Sequence, residues 1–205
     1  LETVPDSNLL KIDYPLFVKP VAEDCSLGIT SDSIVHNLLE LRRETRRLLA
    51  TYHQPVLVEE YISGREFNVT VMGNGSDAVV LPASEILFGK FYRGKPKFVD
   101  FKAKWLEDSM SYRHTIGNCP AVMDESLRKK IEKLSLKAYL ACGGRDYARV
   151  DIRVNRAGVP YFLEVNLNCD ISPQMGASRS ASVYGLNYNQ FVSKLALIAS
   201  ERYAS

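Results

Sequence analysis

Cysteine, histidine and tryptophan are scarce, at four, three and one in 205 residues. Cys25, Cys119, Cys142 and Cys169 stand far apart, with no pair at metal-ligand spacing. A chain of this length buries a proper core and has no need of disulfide staples. The cysteines therefore read as free thiols in a reducing compartment, and the chain as cytoplasmic. His36, His53 and His114 fall in no catalytic setting. No run of 18 apolar residues occurs, which excludes a membrane-spanning helix. An excess of one charge is missing too: 26 basic and 24 acidic residues leave +2. That balance gives no electrostatic reason to expect nucleic acid or an anionic membrane as partner, and any anion must be drawn by a local cluster. No G-x-G-x-x-G follows a strand, which argues against a dinucleotide-binding oxidoreductase. Internal repeats and low-complexity tracts are lacking, as is a signal peptide. The first residue is Leu1, so the chain reads as a piece of a longer protein.

What is present is ordinary globular material, 46% apolar and 24% charged. Tyr14 to Pro20 (YPLFVKP) predicts a buried strand, followed by a polar loop from Ala22 to Thr30. Ser31 or Ser33 can cap a helix carrying Ile34, Leu38, Leu41, Thr45 and Leu48. Arg42, Arg43, Arg46 and Arg47 on its other face are interrupted by Glu40 and Glu44, which predicts a solvated face rather than a nucleic-acid patch. Pro55 to Glu60 and Glu66 to Gly73 read as strands around a turn at Ile62–Gly64, and Val79 to Ser84 as a third. The stretch from Glu85 to Pro120 reads mostly as loop. Asp124 caps a helix stopped by Gly143-Gly144, and a last amphipathic helix runs from about Asn189 to Arg202.

Between these helices lies a hairpin: a strand from Tyr147 to Val154, the turn NRAG, and a strand from Pro160 to Asn166. With a four-residue turn, Asp151 faces Phe162 and Arg149 faces Glu164. Side chains two apart on a strand, and directly opposed ones, share a face. Arg149, Asp151, Glu164 and Asn166 then project together, with Asp151 and Glu164 as diagonal neighbours. Two carboxylates and an amide oxygen suit Mg2+ or Mn2+ and not zinc. Arg149 adds a planar donor fork for a phosphate or oxyanion. The bland alternative is an exposed hairpin of salt-bridging side chains, and a one-residue slip would scatter the four.

The strings ARVDIRV and YFLEVN resemble the C-terminal signature of the D-alanine–D-alanine ligase branch of the ATP-grasp superfamily, where R-x-D and E-x-N bind two magnesium ions. FVKP at Phe17–Pro20 resembles that family's phosphate-contacting lysine strand, and Glu23 to Gly28 its glycine-rich lid. VLVEEYISGREF, Val56 to Phe67, resembles the adenine-binding hinge with the ribose-binding Glu, and FKAKWL, Phe101 to Leu106, the loop whose lysine reaches the phosphates. The resemblance runs in order from about Tyr14 to Tyr203.

It implies an α+β ATP-grasp fold, two subdomains with antiparallel sheets clasping ATP between them. Residues 1–13 would be a linker from a missing N-terminal domain, 14–73 the small lid subdomain and 74–205 the large one. By resemblance the cofactors are ATP with Mg2+ (or Mn2+). Lys19 and Lys104 would meet the phosphates, Glu23 and Ser26 would belong to the lid over the nucleotide, while Glu59, Glu60, Tyr61 and Ile62 read adenine and Glu66 takes the ribose. Asp151, Glu164 and Asn166 would hold the metal. Arg149 and Lys104 would be catalytic, in a ligase that activates a carboxylate as its acyl phosphate and joins it to an amine. The segment LNCDISPQMG departs from the dipeptide ligases: Asp170 and Gln174 fall near positions that there serve the oxyanion and a substrate carboxylate. An acidic side chain repels a carboxylate, which implies a different pair of amino-acid or peptide-like substrates. The alternative is a non-catalytic nucleotide-binding module of a multidomain protein.

Overall fold

The computed structural model describes residues 1–5 and 12–201; residues 6–11 of the expected linker, with Arg202 and Tyr203, lie outside them. The chain forms two compact units, one of Leu1–Ile62 with Phe88–Ile116, the other of Ser63–Leu87 with Gly117 onward. Among the described residues no helix is long and apolar enough to cross a membrane.

In the first unit β1 (Leu16–Pro20) lies between β2 (Ile34–Val35) and β3 (Val56–Glu60), antiparallel to both. Helix α1 (Leu38–Tyr52) lays Leu41 and Leu48 on Leu16, Val18, Val35 and Val56. Its cap is Asn37, whose side chain accepts from the N–H of Glu40, and not Ser31 or Ser33. Those serines form a short 3-10 turn capped by Thr30, and Ile34 extends as a β2 residue opposite Phe17. The expected solvated face is also only part of the account. Glu44 is 1% exposed and bonded to Arg47, which donates in turn to the Gly28 carbonyl at 2.8 Å. The stretch expected as loop carries two short helices, α2 (Phe101–Trp105) and α3 (Met110–Arg113), capped by Asp100 and Ser109.

The second unit is built on a six-stranded antiparallel sheet. Its strands are β4 (Gly64–Met72), β5 (Val79–Val80), β6 (Ser84–Phe88), β7 (Thr115–Asn118), β8 (Tyr147–Asn155) and β9 (Pro160–Asn166). The order is β7-β6-β4-β8-β9, with β5 also on β4. Strand alternation turns Phe67, Val69, Val71, Ala148, Val150 and Ile152 to one face, where α4 (Glu125–Ala141) covers them with Leu127, Ile131 and Tyr139. On the opposite face α5 (Gly176–Tyr184) and α6 (Tyr188–Glu201) pack Ala177, Ala181, Phe191 and Leu195 over Met72, Leu81 and Cys169. Sequence periodicity missed α5, whose stripe is made of Ala and Ser rather than large apolar residues.

β3 and β4 are not the two arms of a hairpin. β4 pairs with β8 at nine positions, from Gly64 opposite Asn155 to Met72 opposite Tyr147, so the segment at Ile62–Gly64 passes from one sheet to the other. The division expected after residue 73 therefore falls within the second unit, and Phe88–Ile116 returns to the first. Long-range strand pairing decides which unit a strand joins, and local composition carries no mark of it.

Candidate functional site

The turn between β8 and β9 is built on Asn155, whose Oδ1 accepts from the N–H groups of Ala157 (2.9 Å) and Val159 (3.0 Å). Beyond it the register differs from the uniform one expected. Ile152 faces Phe162, a bulge intervenes, and Asp151 then faces Glu164 while Arg149 faces Asn166. The turn sets Val154 opposite Pro160 instead of Val159, a shift of one residue, and the extra residue in β9 adds a second, so that together they convert the expected diagonal into direct opposition. All four side chains keep one face, and Asp151 and Glu164 come closer than an unbulged ladder would bring them.

That face continues across β4, where Glu66, Asn68 and Thr70 lie opposite Arg153, Asp151 and Arg149. Arg149 grips both oxygens of Asp151, Nε to Oδ1 at 2.7 Å and Nη2 to Oδ2 at 2.8 Å. Asn68 donates to Oδ1 at 2.8 Å. Arg153, 5% exposed, donates to Glu66 Oε2 at 2.7 Å. Burial pushes the Glu66 carboxyl up to about 7, and Asp151 adds to the rise while Arg153 and Arg149 oppose it. Asn68 and Arg153 are the members that sequence reasoning passed over. Polar residues alternate along EFNVTV and RVDIRV, but only the β4–β8 register sets them side by side.

Asp151, Glu164 and Asn166 fit a hard cation by donor type: oxygen ligands, with Glu164 exposed on the open side and Asp151 oriented from behind. Among the described residues no group of three or more His, Cys, Asp or Glu converges. Two carboxylates are the number a Mg2+ ion sharing its shell with phosphate and water commonly takes from protein.

The remaining expected residues, apart from Glu66, belong to the first unit. Lys19 and Glu59 pair with each other at 2.8 Å, and Glu60 is exposed while Ile62 is buried. Tyr61 stacks on Phe17 with ring centroids 6.3 Å apart and exchanges 3.2 Å hydrogen bonds with the Lys97 backbone. Along the 22–28 loop, Glu23 accepts from Gln54 at 2.7 Å, and Ser26 donates to the Val99 carbonyl at 3.0 Å. Cys25, Ser26 and Gly28 have φ of 54°, 61° and 77°. A Cβ on Gly28 would lie 2.7 Å from Pro20 Cγ, so the loop closes against β1 only with glycine there. Lys104 lies in α2, a helical turn rather than the expected loop, with Nζ 5.7 Å from the Trp105 ring. A groove of about 550 Å3 beside it is lined by Lys102, Trp105, Leu106, Glu107, Asp108 and Ser109, and by none of the expected site residues.

The antiparallel α+β units, one bearing a lysine strand and the other the R-x-D/E-x-N hairpin, define the ATP-grasp class. Solved structures agree. The VanG D-Ala:D-Ser ligase of Enterococcus faecalis is 27% identical over 92% of this chain, with a TM-score of 0.73 and 50% of its own length covered. A D-alanine–D-alanine ligase of Bacillus anthracis complexed with ATP is similar at 24% identity and a TM-score of 0.68, the match covering 92% of this chain and 53% of that one. The chain belongs to the D-ala D-ala ligase C-terminus family, whose model matches residues 3–197. Among curated relatives, the D-alanine–D-alanine ligase of Mannheimia succiniciproducens is 32% identical over 95% of this chain and 58% of its own. An uncharacterised protein of Sinorhizobium fredii is 32% identical over 93% and 53%. The chain thus spans little more than half the length of these relatives.

Proposed function

We propose that this chain is the nucleotide-binding and catalytic part of an ATP-dependent carboxylate–amine ligase. The observation that carries the reading is the bulged hairpin, which sets Asp151 against Glu164 and Arg149 against Asn166 on a polar sheet face. In this reading Lys19 and Lys104 receive the phosphates of ATP, and the lid segment that carries Glu23 and Ser26 covers the nucleotide. Glu59 to Ile62 receive the adenine, and Glu66 accepts from the ribose hydroxyls. Asp151, Glu164 and Asn166 hold Mg2+ (or Mn2+), which when bound neutralises phosphate charge during transfer. Arg149 spends two of its N–H donors on Asp151 and has others for an oxyanion that develops when the amine attacks.

The substrates are amino-acid or peptide-like, and the remaining half of such a ligase contributes an N-terminal domain to their binding. Asp170, four residues beyond Asn166, accepts from the Ser172 N–H at 2.8 Å, and its bonds with Ser172 hold its carboxyl below the usual range. A fixed negative charge there disfavours a second substrate that presents a carboxylate. It supports a pair other than two alanines.

Calorimetric titration with ATP and Mg2+ tests the reading on this chain and on Asp151→Ala/Glu164→Ala. Magnesium-dependent binding that the double variant loses is the expected outcome. Equal binding by both proteins would remove the hairpin from the site.

A further inference from the structure

Arg153 has no part in the roles assigned above, yet it is one of the most deeply buried charged residues of the second unit, 5% exposed. A guanidinium so buried is uncommon and costly unless paired. Its Nη1 donates to Glu66 Oε2 at 2.7 Å, and its Nη2 lies 3.4 Å from the Gly64 carbonyl, two residues earlier on the same strand. The fork therefore refers the carboxylate to the backbone at the start of β4. Among the described residues, Oε1 of Glu66 accepts no bond. One oxygen is anchored and the other is presented. Burial favours the neutral carboxyl at this position and Arg153 opposes it, so the guanidinium also keeps Glu66 a better acceptor than the bare pocket would.

We propose that Arg153 is a positioning residue, which fixes the Glu66 carboxylate for the sugar hydroxyls of a ribonucleotide and thereby sets the preference of the site for ribo- over deoxyribonucleotides. The inference rests on the reading of Glu66 as the ribose acceptor. A hydroxyl bonded to a charged acceptor contributes enough that its loss weakens binding by roughly ten- to a hundredfold. Orientation of the acceptor decides how much of that is realised.

The test is the ratio of affinities for ATP and for 2′-deoxy- and 3′-deoxy-ATP, each with Mg2+, measured by calorimetry. The proteins are the wild-type chain, Glu66→Gln, Arg153→Met, Arg153→Lys and the Glu66→Gln/Arg153→Met double variant. Wild type is expected to prefer ATP at least about tenfold over one deoxy analogue. Glu66→Gln should bring that ratio near unity and Arg153→Met should reduce it severalfold. Arg153→Lys, which keeps the charge but loses the planar fork, should fall between. In the Glu66→Gln background, Arg153→Met should leave the ratio unchanged. Because a ratio within one protein cancels general loss of stability, a merely structural arginine would not move it. If Arg153→Met does not fold, Arg153→Lys and the double variant carry the comparison. A ratio lost in Glu66→Gln but retained in the Arg153 variants overturns the inference and leaves the ribose reading standing. A ratio unaffected by Glu66→Gln, or a wild type that does not bind ATP, overturns both.

Discussion

Burial displaces the ionisation of Glu66 upward, and the direction has a consequence for stability. In the unfolded chain a glutamate titrates at its ordinary value of 4.5, whereas in the folded chain burial raises Glu66 to about 7. Between those limits the folded chain holds a proton that the unfolded chain has released. The stability contributed by that protonated carboxyl is full below pH 4.5 and is lost as pH rises through about 7. Urea unfolding of wild type and Glu66→Gln from pH 4 to 8 should show wild type losing at most about 3 kcal/mol relative to the variant across this window. A flat difference would show that Arg153 holds Glu66 ionised throughout. Residue identities in the hairpin were fully legible in the sequence: R-x-D and E-x-N are oxygen-donor types and spacings that suit the cation site proposed above. The company those residues keep was not. That Arg149 grips Asp151, that Asn68 backs it, and that Lys19 pairs with Glu59 are facts of three dimensions.

Among the described residues, β4 and β8 form the longest strand pairing, and its first rung is a glycine for a steric reason. A Cβ on Gly64 would lie 2.0 Å from the Val154 carbonyl oxygen, a backbone atom that cannot turn aside. Gly64→Ala is therefore expected to cost on the order of 3 kcal/mol or more, through overpacking against the ladder. Alanine at Gly143, which meets nothing within 4 Å but has φ 68°, should cost less, from backbone strain alone. Chemical denaturation of both variants checks the order. Helices capped by an obvious residue and filled by a clear stripe, such as α4 behind Asp124, could be read directly. The start of α1 could not, because Ser31, Ser33 and Asn37 all satisfy the local capping rule. Pairing of Ile34 with Phe17 across the sheet decides among them. The β9 bulge is likewise silent in a hydrophobic pattern, which predicts faces but does not count an extra residue.

At the scale of the whole molecule, a nucleotide that binds the folded chain and not the unfolded one must raise its melting temperature. At ATP about a hundredfold above its dissociation constant the stabilisation is about 2.7 kcal/mol, or roughly 5–10 °C for a chain of this size. Scanning fluorimetry with ATP and Mg2+ should show that rise, and EDTA should remove most of it. A melting temperature indifferent to nucleotide would count against the proposed function itself.

The sequence by itself determined the α+β class, the family resemblance and the identities of the residues on the β8–β9 hairpin, because each depends on residue type and short spacing. Tertiary structure alone decided that β4 joins the second unit, that residues 88–116 return to the first, and that Glu66, Asn68 and Arg153 share the face of Asp151. Those outcomes turn on hydrogen-bonded register between strands some 80 residues apart, such as Asn68 and Asp151. Many pairings of two alternating strands satisfy the same apolar pattern, and packing of the complete sheet against α4 selects one.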